Sequence, residues 1–193
     1  MTFIIDSFFR KAKHGAILLA LLWLFSFSAV HAKPQNKPTI RVACVGNSIT
    51  YGTGIEDREH FSYPVQLQKM LGGKYVVGNF GKPGATLLRH GHRPYFEQNE
   101  FKEAMWFKGD IVVIHLGIND TDPRNWPNYR DEFVTDYLAL IDSLRSVNHN
   151  ARFIIARMTP IAHRHPRFIS GTKLWHTEIQ HAIETVAKVS GAE

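Results

Sequence analysis

The sequence predicts an α/β domain, a three-layer α/β/α sandwich with a parallel sheet at its centre. Short runs such as Ile40-Arg41-Val42-Ala43-Cys44-Val45 and residues 111–116 are apolar on both faces, as strands buried between helices must be. Stretches with helical apolar spacing separate them. Three of the runs lead into polar loops, and in parallel sheets sites gather at the carboxyl ends of strands.

Residues 1–32 read as a secretory signal peptide. Arg10, Lys11 and Lys13 precede the uncharged apolar run 16–30, and Val30-His31-Ala32 offers a small residue at the cleavage position. That run is short against the roughly 20 residues of a membrane span, so stable insertion is not expected after cleavage. An uncleaved N-terminal anchor is the alternative. Residues 33–193 then make one domain, exported to the periplasm or beyond. Cys44, the single cysteine, excludes an internal disulfide even where export permits one. The formal charge of +6 is spread along the chain and gives no basic stripe for nucleic acid.

Within the domain, residues 39–45 form the first predicted strand. Residues 62–71 form a helix with Ser62 as N-cap, Pro64 in its first turn and Gly72-Gly73 at its end. Residues 75–80 are the second strand. Residues 97–107 are a helix ended by Gly109, and 111–116 are the third strand, interrupted by His115. Asn128 caps a long helix over 129–147, with Phe133, Tyr137, Ile141 and Leu144 as its inner stripe. Residues 153–156 are the fourth strand, and Trp175, Ile179, Ile183 and Val186 stripe the last helix.

The three loops carry the chemistry. Gly46-Asn47-Ser48-Ile49-Thr50 presents a serine directly after the first strand. Ester hydrolysis needs a nucleophile, a base to take its proton and donors for the developing oxyanion. The Ser48 amide is one donor. Gly84, lacking Cβ, lets a second backbone N–H approach a substrate, and the Asn119 side chain offers a third. Taken singly, Ser48 also reads as a cap, Gly84 as a turn and Asn119 as an Asx-turn residue. No Gly-x-Ser-x-Gly elbow and no phosphate-cradling loop occurs.

Gly46-Asn47-Ser48-Ile49-Thr50-Tyr51-Gly52, Asn79-Phe80-Gly81-Lys82-Pro83-Gly84-Ala85-Thr86 and Gly117-Ile118-Asn119-Asp120, in this order, resemble the motif blocks of the SGNH (GDSL-like) hydrolase superfamily over residues 39–193. The resemblance implies a flavodoxin-like sheet and a serine esterase without cofactor. It makes Ser48 the nucleophile, with Ser48 N–H, Gly84 and Asn119 as the oxyanion hole. Asn47 stands where an aspartate is commonest. The family's base is a histidine three residues after an aspartate, following a fifth strand. The resemblance therefore implies a sequence short by about one strand and one helix, with the base and its aspartate outside these residues.

Asp57-Arg58-Glu59-His60 has the Asp-x-x-His spacing but precedes the first long helix and reads as coincidence. His90-x-His92 and His163-x-His165 suit zinc only weakly, because no carboxylate or thiol pattern accompanies them; no metal is expected. His115 reads as a core or site-wall residue, and His176 and His181 as helix-face residues.

For the substrate, export favours extracellular polymers, glycans or lipids over coenzyme A thioesters, and an acylated carbohydrate is the expected partner. The stretch 46–84 is similar to bacterial carbohydrate esterases, including sialate O-acetylesterase-like proteins, which implies O-acetyl groups on sialic acids or plant glycans. Arg89, His92 and Arg164, in basic loops, are candidate substrate contacts that would meet a sugar carboxylate; a solvated loop is the competing reading. A non-catalytic glycan-binding module and a lipase acting on another ester are the alternative functions. Oligomeric state is not legible.

Overall fold

The computed structural model describes residues 39–161 and 172–193. Four parallel strands, β1 (Ile40–Gly46), β2 (Tyr75–Gly81), β3 (Ile111–His115) and β4 (Arg152–Ile155), lie in the order β2-β1-β3-β4. Their register pairs Gly46 with Gly81 on one side and with His115 on the other. Seven helices accompany the strands among the described residues: α1 (Ser48–Tyr51), α2 (Arg58–Phe61), α3 (Tyr63–Leu71), α4 (Asn99–Phe107), α5 (Trp126–Tyr129), α6 (Phe133–Val147) and α7 (Thr172–Ser190).

Side-chain alternation along the strands separates two faces. Ala43, Val45, Val112, Ile114, Phe153 and Ile155 join the core with Ala104 of α4, Tyr137, Leu140 and Ile141 of α6, and Ile179 and Ile183 of α7. The other face carries Val42 and Cys44, in register with Ile111 and Val113, and packs toward α3, whose Tyr63 reaches Cys44. There Val113 and its neighbour Ile154 are only half-buried. Burial pushes the Cys44 thiol up to about 12, so it acts as a small apolar core group.

The strands shift by single residues from the sequence reading, and three helix ends differ in kind. Asn128 does not cap the long helix: it lies inside α5 and its Nδ2 donates to the Arg124 carbonyl at 3.0 Å. Pro127 starts that short helix, while buried Trp126 anchors it to α7 by donating Nε1–H to Glu178 Oε2 at 2.6 Å. A 3-10 turn over Arg130–Glu132 intervenes before α6 begins at Phe133. Likewise α4 starts at Asn99, after a 3-10 turn over Tyr95–Glu97 held by the Tyr95 hydroxyl, which donates to the Phe80 carbonyl at 2.7 Å. Lys108, at φ 51°, makes the left-handed C-cap expected of Gly109. Gly109 serves a close approach instead, since a Cβ there would stand 2.9 Å from that of Ala43.

After α7 the backbone turns at Gly191 (φ 69°). Glu193 N–H then donates to Phe153 O at 3.0 Å, and its carbonyl accepts from Ile155 N–H at 2.8 Å. This is the bonding pattern of a parallel neighbour to β4.

Candidate active site

β1 ends at Gly46, and the chain turns within two residues into α1, whose first residue is Ser48. The turn is crowded. A Cβ on Gly46 would collide with the Thr50 side chain and stand 2.8 Å from the His115 carbonyl, and one on Gly81 would collide with the Thr50–Tyr51 backbone. Those two glycines let α1 settle across the ends of β1 and β2. Buried Asn47 caps α1, its Oδ1 accepting from Ile49 N–H at 3.0 Å. Its Nδ2 is enclosed with no hydrogen-bond partner. Ser48 is half-buried, and its hydroxyl makes no hydrogen bond among the described residues.

The second loop leaves β2 at Gly81, and Lys82 N–H donates to the Gly46 carbonyl at 2.9 Å. That bond ties this loop to the Ser48 turn. Gly84 has φ 79°, a conformation that favours glycine, and a Cβ there would meet Arg93 Nη1 at 3.2 Å. Past Gly84 the chain is buried through Leu88.

The third loop is a 3-10 turn over Ile118–Thr121, entirely buried. Asn119 Nδ2 donates to the Ala85 carbonyl at 2.8 Å. Asp120 accepts from Leu87 N–H at 3.0 Å and Leu88 N–H at 2.9 Å. Burial pushes the Asp120 carboxyl up to about 7; the Leu87 and Leu88 amides oppose the shift, and the charge of Asp136 adds to it. The loops of Gly84 and Asn119 are thus cross-braced. Sequence reasoning named Asp120 without a role for it, and it missed Asn125. Buried Asn125 donates Nδ2–H to the Asn119 carbonyl at 2.9 Å and accepts His92 N–H on Oδ1 at 3.0 Å. Nothing in the residues near Asn125 marks that task.

The other candidates are distributed differently. His92 joins the Asn119 loop through Asn125. Arg89 is exposed and stacks its guanidinium over Phe96 at 4.8 Å, beside a cavity that neither Ser48, Gly84 nor Asn119 lines. Arg164, His163 and His165 lie outside the described residues. Asp57 and His60 do meet, Nδ1 to Oδ1 at 2.8 Å, but on the exposed surface. His115 is 6 % exposed, and its Nδ1 has no partner. Burial lowers its pKa, opposed by the hydrogen bond it donates to the Arg157 backbone carbonyl. No group of three His, Cys, Asp or Glu side chains among the described residues is placed to hold a metal ion. None of their helices is long and apolar enough to cross a membrane.

A parallel sheet with a serine turn and two braced polar loops at its carboxyl edge defines a class of hydrolase-like α/β domain. This chain belongs to the GDSL-like Lipase/Acylhydrolase family, whose sequence model matches residues 44–193. It is 46 % identical over 123 residues to an acetylxylan esterase of Xylanibacter ruminicola, a match covering 64 % of this chain and 24 % of that protein. The match thus spans about a quarter of that relative's length. Among solved structures, a carbohydrate acetylesterase from Sinorhizobium meliloti superposes with TM-score 0.62 at 18 % identity, covering 80 % of this chain and 82 % of the other. The aryl esterase of M. smegmatis does so with TM-score 0.60 at 20 % identity, covering 80 % and 82 %. Both share the fold.

Proposed function

We propose that the protein is a carbohydrate O-acetyl esterase with Ser48 as nucleophile. The observation that carries this is the junction of three loops at one sheet edge: Ser48 opens α1 off β1, Lys82 N–H ties the Gly84 loop to Gly46, and Asn119 ties itself to Ala85. The identity to an acetylxylan esterase supports the ester and the sugar.

In the proposed reaction Ser48 Oγ attacks the acetyl carbonyl while its proton passes to a histidine base. The oxyanion is held by Ser48 N–H, the backbone at Gly84 and the Asn119 side chain. Collapse breaks the bond to the sugar oxygen, which takes the proton from the imidazolium. Water then attacks the acetyl-serine, loses its proton to the same histidine, and releases acetate and free Ser48. Among the described residues no histidine hydrogen-bonds Ser48. We assign the base to an Asp-x-x-His segment after a fifth parallel strand. The parallel pairing of Glu193 with β4, the enclosed unpartnered Nδ2 of Asn47 and the half-buried face at Val113 and Ile154 support that assignment.

Residues 1–32 as an export signal, and Arg89, His92 and Arg164 as substrate contacts, belong to the same proposal. O-acetylated sialic acid is a second candidate substrate. The test is hydrolysis of p-nitrophenyl acetate, acetylated xylan and O-acetylated sialic acid by the full-length protein. Ser48→Ala is expected to abolish all activity, with folding unchanged by circular dichroism. Acetate release at the wild-type rate by that variant would refute the mechanism.

A further inference from the structure

We infer that the cavity beside Arg89 is a subsite for a neutral sugar ring of the substrate chain, away from the reacting ester. This rests on the carbohydrate reading above. The cavity has a volume of about 650 Å³, within the range of small-ligand sites. Pro94, Phe96 and Phe101 give it an apolar wall, the two phenyl rings packing at 5.2 Å, and such a wall suits the C–H face of a pyranose. Arg89, Glu97 and Asp136 supply donors and acceptors on the other side.

Asp136 marks the cavity as a built site. It sits in the first turn of α6 and is 8 % exposed. Its Oδ2 accepts from Arg89 N–H at 2.8 Å, whereas Oδ1 takes no hydrogen bond from any described residue. Asp136 lines the cavity, so this oxygen is left to accept from a ligand. A sugar hydroxyl supplies such a donor.

Charge selects the kind of sugar. The Arg89 cation is offset by Asp136 and Glu97, and His90, which also lines the cavity, is held by Glu132 through Nδ1 at 2.7 Å. That pairing raises the exposed imidazole's pKa, and the His90–Glu132 pair adds no free cation. No surplus of positive charge is left for a carboxylate, so a uronic or sialic acid is disfavoured here. Position fits a chain that continues past the acetylated residue. Arg89 lies five positions after Gly84, at most about 18 Å of extended backbone, within the span of a short oligosaccharide.

The test is calorimetric titration of full-length Ser48→Ala protein with unacetylated xylo-oligosaccharide, repeated with Phe96→Ala and with Asp136→Asn added. Each second change is expected to weaken binding about tenfold, the loss of one stacking or one charged hydrogen-bond contact. Arg89→Met serves as a further variant, since Asp136→Asn also touches the Arg89 amide. Unchanged affinity in Phe96→Ala and Arg89→Met, or tighter binding of an oligogalacturonate than of the neutral oligomer, would overturn the assignment. The probe carries no ester, so this result is independent of whether Ser48 hydrolyses anything. Failure of the esterase reading would show instead as acetate release that survives Ser48→Ala.

Discussion

Asn119 donates its side-chain amide to the carbonyl of Ala85, the residue after Gly84, at 2.8 Å. The proposed oxyanion donor is therefore also the brace that fixes the loop of its partner donor. Asn119→Ala should lower kcat by about 100- to 1,000-fold, the usual effect of losing one such donor. It should also cost about 1–3 kcal/mol of stability by leaving the Ala85 carbonyl unpaired. Steady-state kinetics on p-nitrophenyl acetate and urea unfolding measure the two effects. A rate loss below fivefold would remove Asn119 from the oxyanion hole.

Gly84 holds φ 79°, and a Cβ there would press on Arg93 Nη1 at 3.2 Å. Gly84→Ala should destabilise the protein by about 1–2 kcal/mol through the left-handed backbone alone. Displacing the amide by even part of an ångström should cut kcat by as much as about 100-fold. Arg93 is exposed and bonded to the Pro83 carbonyl at 3.0 Å, so Arg93→Ala combined with Gly84→Ala relieves the contact but not the backbone strain. Full recovery in the double variant would show that the contact, not φ, is what matters.

Asp120 titrates at about 7 in the folded state because it is fully buried, against an ordinary value near 4. Between those values the folded protein holds a proton that the unfolded chain has released. Stability from this group is thus fully present below about pH 4, declines as pH rises, and levels off above about 7. Asp120→Asn should flatten that decline. It should also cost about 1–3 kcal/mol, because an amide cannot accept from both Leu87 and Leu88 N–H. Urea midpoints at pH 4.5 and 7.5 report both; equal slopes in the two proteins would assign the titration to another group.

The strands and the three loops were legible in the sequence because each carries its own local signal: an apolar run, then glycine beside Ser or Asn. The α/β fold with a parallel sheet follows from that pattern, as does the placement of the loops at its carboxyl edge. The start of α6 was not legible, since Asn128 looks like a cap while burial of Trp126 against α7 decides the geometry. Lys108 in a left-handed C-cap is hidden by the neighbouring Gly109, which the sequence pattern prefers. The brace from Asp120 to Leu87 and Leu88 joins residues more than 30 apart, and no local spacing encodes it. The cavity at Asp136 escaped for the same reason: its walls come from the 89–101 segment and from α6.

β2 is the edge of the sheet, and edges invite pairing with other chains. Gln68 of α3 covers this one with its side-chain amide. Oε1 accepts from Val77 N–H at 2.8 Å, and Nε2 donates to the Tyr75 carbonyl at 3.0 Å. One side chain thus imitates the donor and acceptor of a neighbouring strand. Exposed Met70 and Val76 lie on the same elements, so an uncovered edge would have apolar surface beside it. Gln68→Ala should free both backbone groups and promote self-association, seen as a concentration-dependent shift in sedimentation velocity. Gln68→Glu keeps the acceptor for Val77 but loses the donor to Tyr75, and should give an intermediate shift. If Gln68→Ala sediments as the parent protein does at every concentration, the amide is a packing contact and does not guard the edge.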